Sequence, residues 1–512
     1  MNSWNEGYFT DSAYTFGYYR ELSPTFIRWC LTLKGFAVPE TSDDDCHCEL
    51  GFGQGVSANI HAAANVGKFF GTDFNPAQAA GAQELAKASG ADAKFFEDSF
   101  KEFSERDDLP KFDTIGFHGI WSWVSDENRK HMLEVVRKHL KSGGVVYCSY
   151  NCLPGWAPAA PMRELLKLHD SYHVGGGITT ERVKAALTFV EEMISANPAY
   201  LKIAPNFVER FEGLKKHDTD YIAHEYLNDI WDLMYFKDVV EMFAANKLDF
   251  AMTAMPVETF AKVGLSDEAW AFLEKIGNPI LREQIRDYFI NRQFRKDLFV
   301  RGARRISVAE TYEKILGTRY VLTKPAADVP LKITTSIAEM NLTEEIYKPL
   351  LEFLQEDSFR PKTFTEYLRR HPDRKPQELV EAATFLVDAN LILPCQNDAT
   401  VKRVKKSCDK LNAYLCERAK FREEISFLAS PLTGGGVNVN RVKQIYLALS
   451  KGGEKSAERL AAAVWDIMAR QGTRLVQNGQ KLESPEENLK LLNAEAETFL
   501  SKELPIFKAL QL

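Results

Sequence analysis

The chain has 512 residues, with 71 Asp+Glu against 64 Lys+Arg, 45% apolar residues and 21 Pro. At ~150 residues per domain, that length provides for two to four domains, and the near-average apolar and charged fractions exclude a predominantly disordered chain. No apolar run approaches the roughly 20 residues that cross a bilayer, so no membrane span is expected, and the net charge of −7 argues against nucleic acid as the main partner.

The stretch Met1 to Thr10 is polar and carries Glu6 where a secretory signal would be basic and then apolar. A cytoplasmic location is therefore expected, and with it free thiols for the eight cysteines. Cys46-His47-Cys48 resembles half of a metal site. In a strand, however, Cys46 and Cys48 share one face while His47 points away, and no second pair follows at zinc spacing, so no metal is expected.

After a lead-in over residues 1–45, short apolar runs alternate with helical stretches. The runs are Cys46–Leu50, Lys68–Thr72, Ala93–Phe96, Phe112–Phe117 and Val145–Tyr150. Between them lie helical stretches at Val56–Asn65, Ala77–Ala88 and Asp126–Leu140, the last ended by Ser142-Gly143-Gly144. Strands separated by helices predict a doubly wound α/β domain over residues 46–155.

Beyond Pro154-Gly155-Trp156 come helical patterns at Pro161–His173, Thr180–Ala196 and Tyr221–Leu233. Strand patterns return at Leu248–Thr253 and Phe294–Val300. Residues 156–235 are therefore expected to be a helical insertion that dimerises or covers a site, and 236–305 a return to the core sheet. Residues 306–400 show three helical patterns, Glu344–Leu354, Thr363–Arg370 and Pro376–Asn390, and then the apolar run Leu391–Pro394, an order that suggests a winged helix. The basic run from Lys402 to Lys406 raises nucleic-acid binding, but nearby acidic residues favour a solvated face packed on the rest of the protein. Residues 401–512 continue as helices around a Gly434-Gly435-Gly436 loop.

The chemistry concentrates in Glu49-Leu50-Gly51-Phe52-Gly53-Gln54-Gly55, which closes the first strand and opens a helix. Glycines permit a tight turn and close backbone approach, and free N–H groups at a helix start favour an anionic group. Asp73 ends the second strand, from where a carboxylate can accept both ribose hydroxyl hydrogens. Asp98 follows the third, within reach of an adenine amine. The dinucleotide fingerprint would need a third glycine at position 56, which is Val56.

The spacing Glu49-x-Gly51-x-Gly53-x-Gly55 resembles class I S-adenosylmethionine-dependent methyltransferases. The resemblance implies that Glu49, Gly51, Gly53 and Gly55 serve the methionine moiety, Asp73 the ribose, Asp98 the adenine amine and Phe74 the adenine face. Three further stretches are similar to bacterial methyltransferases with a "methyltransferase regulatory domain": Phe117-His118-Gly119-Ile120-Trp121-Ser122-Trp123-Val124, Ser149-Tyr150-Asn151 with Leu153-Pro154-Gly155-Trp156, and Tyr221 to Asn228. That group includes enzymes that methylate lysines of outer-membrane proteins. It implies S-adenosyl-L-methionine as cofactor, a lysine-bearing protein as partner and a homodimer. The stretch Ala13 to Arg20 departs from the proline-rich version of the lysine enzymes, which bears on the acceptor rather than on the cofactor.

In open α/β sheets the site lies at the carboxyl ends of the strands. That placement makes His118 a candidate base or hydrogen-bond acceptor, Trp121 and Trp123 candidate walls, and Tyr150 and Asn151 candidate orienting groups. Tyr14, Tyr18 and Tyr19 are read either as a lid over the cofactor or as packing. His224-Glu225 lacks the second histidine of a metalloprotease helix, since Asn228 stands in its place. Three functions remain open: methyl transfer to protein lysine, methyl transfer to a small molecule or another nucleophile, and a cofactor-binding regulatory protein without catalysis.

Overall fold

The computed structural model describes residues 15–172, 177–260, 262–302, 304–334, 339–477 and 479–512. Its centre is a seven-stranded sheet in the order β3-β2-β1-β4-β5-β7-β6. The strands are β1 (Cys46–Leu50), β2 (Lys68–Thr72), β3 (Ala93–Phe96), β4 (Phe112–Phe117), β5 (Leu140–Asn151), β6 (Asp249–Thr253) and β7 (Phe294–Val300). β1 to β5 are parallel, while β7 runs antiparallel to both β5 and β6. This is the Rossmann-like sheet of the class I methyltransferase fold, with a helical insertion and a mostly helical carboxy-terminal region.

The helices that pack on the sheet begin with caps that the sequence supplies. α1 (Pro24–Leu33) and α3 (Pro76–Ser89) carry proline in the first turn, where no N–H is needed. α4 (Phe100–Ser104) opens with a Ser99/Glu102 capping box, and α5 (Asp126–His139) with the Ser125 hydroxyl. α2 (Val56–Ala64) is buried at every position, including Ser57, Asn59 and His61. Its small and apolar composition suits a helix covered on all sides.

What covers α2 on its outer side is the carboxy-terminal half. Its last carbonyls, left without helical partners, accept hydrogen bonds from Ser407 Oγ to Ala63 at 2.6 Å and from Gln396 Nε2 to Ala64 at 2.8 Å. The helix Asp398–Arg418 that carries the basic run lies along α2 and α3, with Arg403 paired to Asp43 and the Tyr414 hydroxyl on Glu84. One continuous apolar core joins α1, α2, one face of the sheet and the helices beyond residue 306. The carboxy-terminal region is thus built into the sheet domain, rather than appended to it.

Three local expectations are corrected, and one helix is added. β5 starts at Leu140 rather than after Gly144, because Leu140 pairs with Phe112 of β4 and Gly143 N–H donates to Arg301 O, just past β7, at 2.6 Å. The Tyr221–Leu233 pattern is helical only over Thr219–Tyr226, since the Asn228 side chain turns back onto the His224 carbonyl and Asp232 leaves to pair with Arg129. A helix at Phe207–Leu214 is present in the insertion as well. Gly434-Gly435-Gly436 is not a loop between helices but part of a hairpin, Phe427–Ser430 paired with Gly435–Asn438.

Residues 319–394 contain a three-stranded antiparallel sheet, Lys362–Thr363, Arg319–Leu322 and Ile392–Pro394, beside the helices Glu344–Phe359, Phe364–Arg370 and Pro376–Asp388.

The antiparallel β7 is fixed by a buried charge knot. Arg295 is fully buried; it donates to Asp287 at 2.6 and 2.8 Å, to Asp297 at 2.8 Å and to Glu283 at 2.9 Å. Removing one member of such a knot leaves buried charge uncompensated. Arg295→Met is expected to lower the unfolding free energy by about 3–5 kcal/mol, read as a shifted urea midpoint; an unchanged midpoint would contradict this role.

Candidate active site

The site grows from the turn between β1 and α2. Gly51, Gly53 and Gly55 have φ of 69°, 56° and 69°, the left-handed region that side-chain-bearing residues avoid. A Cβ on Gly55 would stand 2.5 Å from Ala82 Cβ, so this glycine also lets α2 and α3 close on each other. The turn is tied to the end of β2 by Gly53 N–H, which donates to Asp73 Oδ2 at 2.8 Å. Asn75 N–H holds the other oxygen at 3.0 Å, and the Gln78 amide, with its nitrogen toward the carboxylate, lies 2.9 Å from it.

Parallel register brings the strand ends to one edge: Leu50 of β1 lies beside Thr72 of β2, and Thr72 beside Phe96 of β3. A cleft opens there, and Glu49, Gly51, Gly53, Gly55, Asp73, Phe74, Asp98 and His118 all line it. Two of its carboxyl groups are buried close together. Burial, with the Asp73 charge nearby, pushes Glu49 up to about 8. Burial pushes Asp73 up to about 6 against the opposing pull of the Asn75 and Gly53 amides. Asp98 lies nearer solvent and pairs with Arg106 at 2.9 Å, whose guanidinium sits 4.0 Å over the Phe96 ring.

His118 follows β4. Its Nδ1 lies 2.8 Å from the Tyr147 hydroxyl, and its ring stacks on Tyr19 with centroids 3.7 Å apart. Burial pushes its pKa down to about 3, so the imidazole is neutral. Tyr19 is placed by its own N–H, which donates to Ser57 Oγ on α2 at 2.8 Å.

Several candidate residues are placed elsewhere. Tyr14 lies outside the described residues. Tyr18 faces away from the cleft: its hydroxyl lies 3.1 Å from His61 Nε2, and its ring fits over the carboxy-terminal hairpin, where a Cβ on Gly436 would stand 2.9 Å from it. Trp121 is fully buried against Phe117 and Phe243 in the sheet core, and Trp123 borders the cleft instead. Tyr150 is buried with its hydroxyl donating to Asp297 Oδ2 at 2.8 Å, because β7 lies where an open site would have been. Asn151 is buried too, its N–H donating to Ser122 Oγ at 2.9 Å. Neither borders the cleft.

Residues not singled out from sequence also line it, among them Thr15, Gly17, Gln78, Ile120 and Asn128. Gln78 and Asn128 sit in the first turns of α3 and α5, so helix starts beyond strand ends were the available signal. Among the described residues, no group of three or more His, Cys, Asp or Glu side chains is arranged to hold a metal.

Residues 48–144 match the family model "Methyltransferase domain", and residues 218–301 match "Predicted methyltransferase regulatory domain". The uncharacterized protein sll1526 of Synechocystis is 35% identical over 513 residues, covering 99% of both chains. The uncharacterized protein RP028 of Rickettsia prowazekii is 30% identical over 43% of this chain and 86% of its own. Among solved structures, PKMT2 from Rickettsia typhi, in complex with AdoHcy, has a TM-score of 0.68 at 17% identity, covering 97% of this chain and 99% of that one. The glycine turn, the carboxylates at successive strand ends and these matches lead to one conclusion: the chain belongs to the class I S-adenosylmethionine-dependent methyltransferases that carry a methyltransferase regulatory domain, with S-adenosylmethionine as cofactor.

Proposed function

We propose that the protein methylates lysine side chains of a protein substrate. The observation that carries this reading is a second cavity of about 1070 Å³, which shares Tyr19 with the cofactor cleft. Sites for small molecules are typically ~300–1,000 Å³, and this cavity stands at the upper end of that range, with room for a lysine side chain and the residues flanking it. Its walls come from the sheet domain and from the carboxy-terminal half, among them Met255, Lys296, Pro394 and Phe507. The resemblance of residues 117–124, 149–156 and 221–228 to methyltransferases with a regulatory domain, a group that includes enzymes modifying lysines of outer-membrane proteins, supports the same acceptor.

The cleft fits the cofactor by its donor set. A glycine cradle without room for side chains faces a row of carboxylates on successive strands. Asp73 retains lone pairs for two ribose hydroxyls after accepting its backbone amides. Asp98 would take the adenine amine and Phe74 would cover the ring. Glu49 would meet the amino group of the methionine portion, whose positive charge favours ionisation of a carboxyl otherwise protonated near neutrality. S-adenosylmethionine supplies a sulfonium methyl group that is open to attack by a lone pair.

The chain's own residues would then present that lone pair. A lysine must arrive as a neutral amine aligned at near-attack distance. His118 is neutral, and in the tautomer whose Nδ1–H donates to the Tyr147 hydroxyl its Nε2 would accept a hydrogen of the amine and orient it. Tyr19 and Trp123 supply aromatic faces tolerant of developing positive charge.

The insertion exposes Tyr172, Ile178, Ile203 and other large apolar side chains, which supports a homodimer contact there. The eight cysteines are free, which supports a cytoplasmic setting. Among the described residues, no helix is long and apolar enough to cross a membrane.

Incubation with methyl-labelled cofactor and cell lysate, followed by acid hydrolysis of labelled protein, is expected to yield methylated lysine, and Asp73→Ala is expected to abolish the label. Label confined to small molecules would favour another acceptor, and no label would favour a cofactor-binding protein without catalysis.

Gly55→Ala would drive a Cβ into Ala82 at positive φ. It is expected to cost about 2–4 kcal/mol of stability and to weaken cofactor binding at least about tenfold, read by denaturation and calorimetry.

Burial raises Glu49 from its ordinary 4.5 to about 8 and Asp73 from 3.8 to about 6. A raised carboxyl contributes stability that is present below its unfolded value and lost as pH rises through the folded one. The cofactor-free protein should therefore lose thermal stability as pH rises from about 5 to about 8, and Glu49→Gln should flatten the decline. A pH-independent wild-type melting temperature would contradict this.

A further inference from the structure

The two cavities meet at Tyr19, and two residues further along the chain Glu21 lines the larger one. Glu21 is 8% exposed, and among the described residues its carboxylate has one salt-bridge partner, Lys296 Nζ at 2.7 Å. The neighbouring Arg20 is engaged elsewhere, donating to Val387 O at 2.7 Å and Asp388 O at 2.8 Å. The other carboxylates lining the cavity lie in the carboxy-terminal half: Asp328 is held by Lys502 at 2.9 Å, Glu503 by Lys443 at 2.7 Å, and Asp388 accepts Val257 N–H at 3.3 Å. Glu21 is the carboxylate adjacent in sequence to the Tyr19 junction, and its field reaches His118.

The pair is asymmetric. The Lys296 side chain keeps 26% of its exposure against 10% for Glu21, so its ammonium can regain water in the cavity while the carboxylate stays behind. Exchanging one ammonium for another at a buried carboxylate avoids leaving that carboxylate unpaired, which is the costly state. A lysine entering from the large cavity would present to Glu21 the same group that Lys296 presents now.

We propose that Glu21 is the residue that recognises the acceptor's ammonium group, and that Lys296 occupies its carboxylate until a substrate lysine displaces it. This rests on the protein-lysine reading and assigns its specificity to one charge. Glu21 would draw a cationic acceptor, rather than an alcohol or thiol, to the junction. The ammonium would give its proton to water in the cavity, and the freed lone pair would then form the N–CH₃ bond as the S–CH₃ bond breaks. Arg20, fixed to the end of the Pro376–Asp388 helix, sets where Glu21 stands.

The test uses n-butylammonium, the lysine side chain without its backbone, titrated into the full chain saturated with S-adenosylhomocysteine, with n-butanol as the uncharged control. Lys296→Met, which frees the carboxylate, is expected to bind n-butylammonium about tenfold more tightly than wild type, and Glu21→Gln about tenfold more weakly. Neither change should alter n-butanol binding. Equal n-butylammonium affinity in all three proteins, or a gain in Lys296→Met that n-butanol shares, would overturn the proposal. S-adenosylhomocysteine affinity reports whether each variant is folded. If Lys296→Met loses that affinity, Lys296→Arg replaces it: a guanidinium holds a carboxylate through two N–H groups, so weaker n-butylammonium binding than wild type is expected, and equal binding overturns the proposal. The lysine reading is judged separately by methylated lysine in labelled lysate protein. Methylated lysine with unaltered n-butylammonium binding removes Glu21's role alone; the predicted binding pattern without methylated lysine removes the lysine reading and leaves a site for another cation.

Discussion

The parallel pairing of β1 between β2 and β4 is the constraint on which the site depends. Parallel strands begin at one edge of a sheet and end at the other, so whatever follows each strand gathers at a common edge. Here that edge receives the Gly51–Gly55 turn, Asp73, Asp98 and His118 from four different strands. None is near the others by virtue of local sequence alone. The hydrogen bond from Gly53 to Asp73 then locks the turn against the next strand, so the cradle and the Asp73 carboxylate are one unit rather than two parts that must find each other.

This arrangement is electrostatically unfavourable without its ligand. Glu49 and Asp73 are both buried, and each is shifted toward its protonated form. Elsewhere the fold resolves the same difficulty with internal counter-charges, as Arg295 does for Asp287 and Asp297. Asp73 has amide donors instead of a cation, which leaves its charge available to a hydroxyl-rich ligand. The contrast separates structural charge, neutralised within the chain, from charge left for binding.

The α/β core was legible because its strands are short apolar runs with helix caps between them, and their observed limits at Cys46–Leu50, Lys68–Thr72 and Phe294–Val300 coincide with those runs. The cofactor side of the site was legible for the same reason: its residues stand at strand ends, which sequence marks. The acceptor side was not. Trp121 and Tyr150 also follow or end strands, but whether a strand end opens onto solvent depends on what packs over it, here Phe243 and the antiparallel β7. That information lies about 100 residues or more away in the chain and has no local signature. The joining of the carboxy-terminal half to α2 was hidden likewise, since Ser407 and Gln396 look like ordinary polar residues until they meet orphan carbonyls.

The position of Tyr18 has a consequence for how the protein can be divided. Its hydroxyl is held by His61 on α2 and its ring by the glycine hairpin, so the strand of chain leading into the enzyme is clamped between its two halves. The next residue stacks on His118, and Glu21 looks into the large cavity. A fragment cut near residue 305 would keep every motif residue of the cofactor site, yet it would lose the surface that aims this segment. The smallest unit capable of turnover is therefore larger than its recognisable catalytic domain, because the apolar core that the two halves share would be opened by the same cut.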